Sequence, residues 1–135
     1  MYRDTGAYFV VKKIKLVHSF HGLDQTRVRA IKKEIEMYKS LKNDNIVEYY
    51  GCEVIENNTM CIYLEYMPGG SIADGYRRFK SNYDEKICRL YTFQILNALY
   101  YLHQRDIVHG DLKGANVLLS KDGEKVKLCD LGNAR

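Results

Sequence analysis

The stretch IVHGDLKGANVLL, from Ile107 to Leu119, decides how the rest of the chain is read. It sets a carboxylate (Asp111), an ammonium (Lys113) and a carboxamide (Asn116) within six residues. Apolar residues flank it: Ile107 and Val108 before, Val117, Leu118 and Leu119 after. Eleven residues beyond Leu119 comes Asp130-Leu131-Gly132. A tight polar loop between apolar anchors, followed by a carboxylate on a glycine turn, suits phosphate and hard-cation chemistry. Each residue alone has a plainer reading. Asp111 and Asp130 could cap turns, Lys113 could be a surface lysine, and Asn116 a turn former. The spacing favours one shared site.

Working outward, Val117 to Leu119 and Glu124 to Leu128 read as a small hairpin around Lys121-Asp122-Gly123. Before the loop, Asp84 to Arg105 has helical periodicity, with Ile87, Leu90, Tyr91, Ile95, Ala98, Leu99 and Leu102 on one stripe. A short helix is expected over Ser71 to Phe79, after the linker Pro68-Gly69-Gly70. Further back, Ile46 to Ile55 and Thr59 to Tyr66 read as strands joined at Glu56-Asn57-Asn58. From Asp24, a plausible N-cap, to Lys42 the pattern is helical again, with Val28, Ile31, Ile35, Tyr38 and Leu41 in line. Glu34 falls inside that stripe, while Glu36 points to solvent. Ala7 to Leu16 reads as a strand whose one face carries Tyr8, Val10, Lys12, Ile14 and Leu16. Lys12 on an apolar face either snorkels to the rim or needs a partner. Glu34 has the same difficulty with opposite sign, and pairing the two solves both. Strands with one helix, a glycine linker, then helices with a two-stranded clip give an α+β, bilobal arrangement hinged near Glu65 to Gly70.

Composition narrows the class. At 135 residues the chain is about one small domain. With 46% hydrophobic and 28% charged residues, disorder is not expected. No apolar run approaches the roughly 20 residues of a membrane span, and the first ten residues lack the pattern of a signal peptide. The net charge of +4 is spread along the chain without a basic block, so nucleic acid is not an expected partner. The 12 tyrosines fall in apolar periodic segments, which favours core packing over base stacking. Cys52, Cys61, Cys88 and Cys129 form no metal-ligand spacing. They are read as reduced thiols of a cytoplasmic protein.

Five ordered stretches together resemble a eukaryotic protein kinase domain of the serine/threonine type. They are VVKK around Lys12, the helix bearing Glu34, LEYMPGG from Leu64 to Gly70, HGDLKGAN from His109 to Asn116, and CDLG from Cys129 to Gly132. The wording KGAN, with EYMPGGS at the hinge, looks most like the kinases that open mitogen-activated cascades, or their sterile-20-like relatives. The resemblance covers the whole chain but only the middle part of a kinase domain. It implies an incomplete N-lobe over residues 1–64, a hinge over 65–70, and the start of a helical C-lobe over 71–135. It also implies ATP and Mg²⁺ as cofactors and a protein substrate, a downstream MAP kinase kinase being one candidate.

Carried over by position, the resemblance makes Lys12 the holder of the α- and β-phosphates, paired with Glu34. Leu64 would be the gatekeeper, Glu65 and Met67 would offer backbone groups to adenine, and Val10 and Leu118 would sandwich the base. Asp111 would accept or orient the substrate hydroxyl proton, Lys113 would offset charge on the moving phosphoryl group, and Asn116 and Asp130 would hold Mg²⁺. Tyr38, Tyr49, His109 and Leu131 match the family's stacked apolar spine.

The match also has gaps. The only glycine before residue 22 is Gly6, so no glycine-rich phosphate loop is present. The sole proline is Pro68, so these 135 residues hold no Ala-Pro-Glu, and the substrate-platform helices are not expected within them. The expectation is little or no activity for this chain by itself, with a pseudokinase-like nucleotide-binding or protein-interaction module as the alternative. Gly110 stands where many kinases carry the arginine that receives a phosphorylated loop. Leu131 replaces the usual phenylalanine and keeps the position apolar.

Overall fold

A computed structural model describes residues 8–16, 18–19, 22–23, 25–56, 58–79 and 83–135. The chain divides into two compact units, Met1–Lys39 with Glu48–Tyr66, and Ser40–Val47 with Met67–Arg135.

The first unit is built on a three-stranded antiparallel sheet. Its strands are β1 (Phe9–Lys15), β4 (Tyr49–Ile55) and β5 (Thr59–Glu65), in the order β1-β5-β4. Between β1 and the helix lies a short ladder, β2 (His18–Ser19) with β3 (Gly22–Leu23), which no period-2 pattern announces. β5 is central, and it buries Thr59, Cys61, Ile62 and Leu64, residues of both faces. The register sets Val10 opposite Leu64 and Lys12 opposite Ile62. Side chains of directly paired residues share a face, so Val10, Lys12, Ile62 and Leu64 lie together. Helix α1 (Gln25–Ser40) buries Ile31, Glu34, Ile35 and Tyr38, the stripe expected from its periodicity. Tyr38 stacks on Tyr49 of β4 at 6.3 Å between ring centroids, tying helix to sheet. The expected N-cap, Asp24, lies outside the described residues. The strand expected from Ile46 begins only at Tyr49; Ile46 itself belongs to the second unit, where it forms an isolated parallel bridge to Leu128.

The second unit packs helix α3 (Glu85–His103) on a hairpin of β6 (Val117–Leu119) and β7 (Val126–Leu128). Its core is Ile46, Tyr91, Ala98, Leu102, Val117, Leu119, Val126 and Leu128. Asp84 starts α3 by accepting a hydrogen bond from the Lys86 amide. Along the apolar stripe of α3, Tyr91, Ala98 and Leu102 are buried and Ile95 and Leu99 half-buried, whereas Ile87 and Leu90 are exposed. Helix α2 (Ile72–Phe79) opens with a reciprocal box. The Ser71 hydroxyl donates to Asp74 Oδ2, and the Asp74 amide donates to Ser71 Oγ. The glycine linker is stitched down: Gly69 N–H donates to Leu119 O and Leu119 N–H to Gly70 O. A Cβ on Gly69 would come within 2.4 Å of Ser120 O, so only glycine permits that approach. Among the described residues no helix is long and apolar enough to cross a membrane.

Candidate active site

In the first unit, Lys12 Nζ donates to Glu34 Oε1 at 2.7 Å. β1 supplies the lysine and α1 the carboxylate. Glu34 is 8% exposed and the lysine side chain 36%, so the carboxylate is shielded while the ammonium still reaches solvent. The pairing expected from two inward charges of opposite sign is therefore formed. Its residual polarity lies on the lysine, the end that could meet an anion. Val10 and Leu64 share that lysine's face of the sheet. Further along β5, the Glu65 amide is bonded to Glu48 O at 2.9 Å, so that amide is not on offer to a ligand. Met67 is buried, and its carbonyl accepts from Gly70 N–H at 3.3 Å, closing the turn at Pro68.

In the second unit, the polar loop is laced at both ends. Val108 N–H donates to Arg135 O at 2.8 Å and Arg135 N–H to Val108 O at 3.1 Å. His109 is buried, 2% exposed. Its Nδ1 accepts from the Asp111 amide at 3.3 Å and its Nε2 lies 3.0 Å from Cys129 O. An acceptor Nδ1 places the ring proton on Nε2, donated to Cys129, so a neutral imidazole satisfies both contacts. His109 thus joins the loop to the residue before Asp130. Leu131, 1% exposed, anchors the far side. A second link runs from Cys129 N–H to Asn116 O at 3.0 Å, at the end of the 3-10 turn Gly114–Asn116. Leu118, between the buried Val117 and Leu119 on β6, is half-buried on the opposite face.

The three polar side chains converge. Lys113 Nζ donates to Asp111 Oδ2 at 2.8 Å, and Asn116 Nδ2 donates to the same oxygen at 3.0 Å and to Asp111 O at 2.8 Å. Both donors use Oδ2, which leaves Oδ1 as the oxygen that can take a hydroxyl. The Lys113 hydrogen bond, against a smaller opposing effect of burial and with help from Asn116, holds the Asp111 carboxyl below the usual carboxylate range. The Asp111 hydrogen bond and charge push the Lys113 ammonium up. Asn116 spends its amide hydrogens on Asp111, so its oxygen is the end that a hard cation could take. Asp130 sits in the left-handed region at φ 60°, exposed, with the Gly132 amide 3.4 Å from its Oδ1. A non-glycine residue there stores of order 1–3 kcal/mol of strain, which the anchored Cys129 and Leu131 on either side sustain.

Among the described residues no group of three or more His, Cys, Asp or Glu could hold a metal ion. One carboxylate and one amide oxygen make too few ligands for a lone Mg²⁺. They suit one that also takes phosphate oxygens and water. The donor set therefore fits a nucleotide-borne cation.

Gly110 has φ 77°, and a Cβ there would lie 2.5 Å from Asn133 O. Its lack of a side chain accommodates the segment after Asp130.

The family model for the protein kinase domain matches residues 1–135. Curated relatives agree. Mitogen-activated protein kinase kinase kinase A of Dictyostelium discoideum is 40% identical over 132 residues, covering 96% of this chain and 14% of the relative. Mitogen-activated protein kinase kinase kinase 3 of Homo sapiens is 43% identical over 133 residues, covering 98% and 21%. A plant protein named Mitogen-activated protein kinase kinase kinase 3, from Arabidopsis thaliana, is 40% identical over 135 residues, covering 98% and 21%. The chain thus spans about a fifth or less of the length of these relatives. The chain belongs to the protein kinase family, and its fold is that of part of a kinase domain.

Proposed function

We propose that this member of the protein kinase family transfers a phosphoryl group from MgATP to serine or threonine hydroxyls of a protein substrate. The observation that carries the reading is the convergence of Lys113 and Asn116 on one oxygen of Asp111. A carboxylate held below its usual pKa is a weak proton acceptor at neutral pH. Its better use is to orient a hydroxyl, which is what phosphoryl transfer through a loose transition state asks of a protein group. The lysine beside it stands where charge on the moving group can be offset.

The other roles follow residue by residue. Lys12, held by Glu34, binds phosphate oxygens. Val10, Leu64 and Leu118 offer apolar contacts to the base, and Met67 its amide. The Glu65 contribution is restricted to groups other than its amide. Asn116 and Asp130 hold the cation, whose chemistry when bound is to neutralise phosphate charge. The likeness to kinases named for the mitogen-activated cascade supports a downstream kinase as a candidate substrate, and a reducing, cytoplasmic setting suits the cysteine content.

The test is a pair of measurements on the chain: binding of a fluorescent ATP analogue with and without Mg²⁺, and transfer of radiolabelled phosphate to a serine-containing acceptor protein. Metal-dependent binding lost in Asp130→Asn is the expected result, with transfer by this chain weak and lost altogether in Asp111→Asn. Binding indifferent to Mg²⁺ and to Lys12→Met would overturn it. Metal-dependent binding without transfer would select a nucleotide-binding module instead.

A further inference from the structure

β7 is three residues long, pairs through the ladder only with β6, and runs directly into Cys129 and Asp130. So short a strand with an open edge holds its position poorly, because its outward N–H and C=O groups lack ladder partners. Here side chains finish the edge at Val126, and the 45–47 backbone finishes it at Leu128. Val126 N–H donates to Gln94 Oε1 at 2.9 Å, and Val126 O accepts from Asn45 Nδ2 at 2.9 Å. The two carboxamides are bonded to each other, Asn45 Nδ2 to Gln94 Oε1 at 2.9 Å, although they lie 49 residues apart. Gln94 Nε2 reaches the Glu124 carbonyl at 2.8 Å, and Asn97 Nδ2 donates to Asn45 Oδ1 at 2.9 Å. Further along the same edge, Leu128 N–H donates to Asn45 O and Val47 N–H to Leu128 O.

A carboxamide carries a donor and an acceptor on one planar head without a charge, so a pair of them can imitate the edge of a strand. Asn45 is 6% exposed, and both hydrogens of its amide are used, so the network is paired where it is buried. Across the strand, the Cys129 amide is held by Asn116 O. The four residues before Asp130 are thus pinned from α3 and the 43–47 turn on one edge, and from the polar loop on the other.

We propose that Asn45 and Gln94 are positioning residues for Asp130, setting where its carboxylate stands relative to Asn116. The proposal rests on the assignment of Asp130 and Asn116 as cation ligands made above. Groups that orient a metal ligand without touching the metal are commonly worth about 10–100-fold in affinity.

The probe is Mn²⁺ with a non-hydrolysable ATP analogue, free Mn²⁺ being read by electron paramagnetic resonance on the full chain. Gln94→Leu should weaken Mn²⁺ binding about ten-fold and leave metal-free nucleotide affinity nearly unchanged. Gln94→Glu, which keeps the oxygen that Val126 and Asn45 use, should recover most of the loss. Arg89→Ala, on the same helix but bonded to Glu85 and not to Asn45 or Gln94, should behave as the parent. Asp130→Asn serves the reading beneath: if it leaves Mn²⁺ binding intact, the ligand assignment fails. If Asp130→Asn abolishes binding while Gln94→Leu keeps it, the positioning role fails alone. Amide hydrogen exchange on the unmodified chain decides the case where Gln94→Leu does not fold. Val126 should exchange as slowly as Leu128 and slow further with Mn²⁺ and nucleotide, whereas exchange at an open-loop rate, or no response to the metal, overturns the proposal.

Discussion

Lys12–Glu34 and Lys113–Asp111 are the same chemical couple, closed at 2.7 and 2.8 Å, and they are built in opposite ways. The first joins a strand to a helix across 22 residues, with its carboxylate nearly sealed from water. The second spans two residues of one loop, and both members are accessible. A couple with a buried end depends on the fold, and the fold depends on it, because an unpaired carboxylate in the interior is costly. An exposed local couple adds little to stability and stays accessible. The same two functional groups are therefore built into the fold in one unit and left accessible on a loop in the other.

The most severe way to break this contrast is through the local couple's chemistry. Asp111→Asn should lower the weak phosphoryl transfer expected of this chain by at least about 10²-fold while the denaturation midpoint hardly moves, as measured by radiolabel transfer beside a urea titration. A large loss of stability would mean that the loop couple is architectural after all. Lys12→Met tests the opposite pole. It should destabilise the chain by about 1–3 kcal/mol, the cost of leaving a buried acceptor unsatisfied, with Lys12→Met/Glu34→Leu recovering part of that loss in the same titration. If the single variant is neutral, the buried couple is no more structural than the exposed one.

Gly110→Ala sharpens the comparison from beside the loop. With φ 77° and Asn133 O only 2.5 Å from the new Cβ, the substitution should cost about 1–3 kcal/mol. The Val108 and Arg135 amides should lose exchange protection first. Ser71→Ala should remove the α2 box at a cost of about 0.5–2 kcal/mol, seen in thermal unfolding.

The smallest effect concerns Asp74, an exposed carboxylate engaged locally like Asp111. The Ser71 hydroxyl bond holds its carboxyl below the usual range. A depressed folded-state pKa means that its contribution is present above the unfolded value, about 3.9, and is lost as pH falls through the folded value. Stability measured down the acid limb should therefore fall less steeply in Asp74→Asn than in the parent, and identical slopes would remove Asp74 from the account.

Much of this was legible in the residues because local rules carried it. The α1 stripe with Glu34 inside it, the inward Lys12, the polar loop and the hairpin after it all follow from period and spacing. Other features depend on partners that periodicity cannot see. Ile87 and Leu90 continue the stripe of α3 yet lie beyond the reach of the core cluster, which begins at Tyr91. Ile46 looks like the start of a strand, but its partner is Leu128. Gln94 and Asn45 read as ordinary helix and turn residues, and only tertiary structure brings them to Val126. The short β2–β3 ladder has too few residues for alternation to register.

The Asn45 bond to Val126 has a consequence during synthesis. Its two ends are 81 residues apart. At about 5–20 residues per second, Asn45 leaves the ribosome several seconds before the strand that will receive it. Through that interval the turn between α1 and β4, already made, has no place to dock. Ribosome-stalled chains of increasing length should show protease resistance of residues 40–47 only once β7 has emerged, and earlier resistance would show that the turn finds its shelter elsewhere.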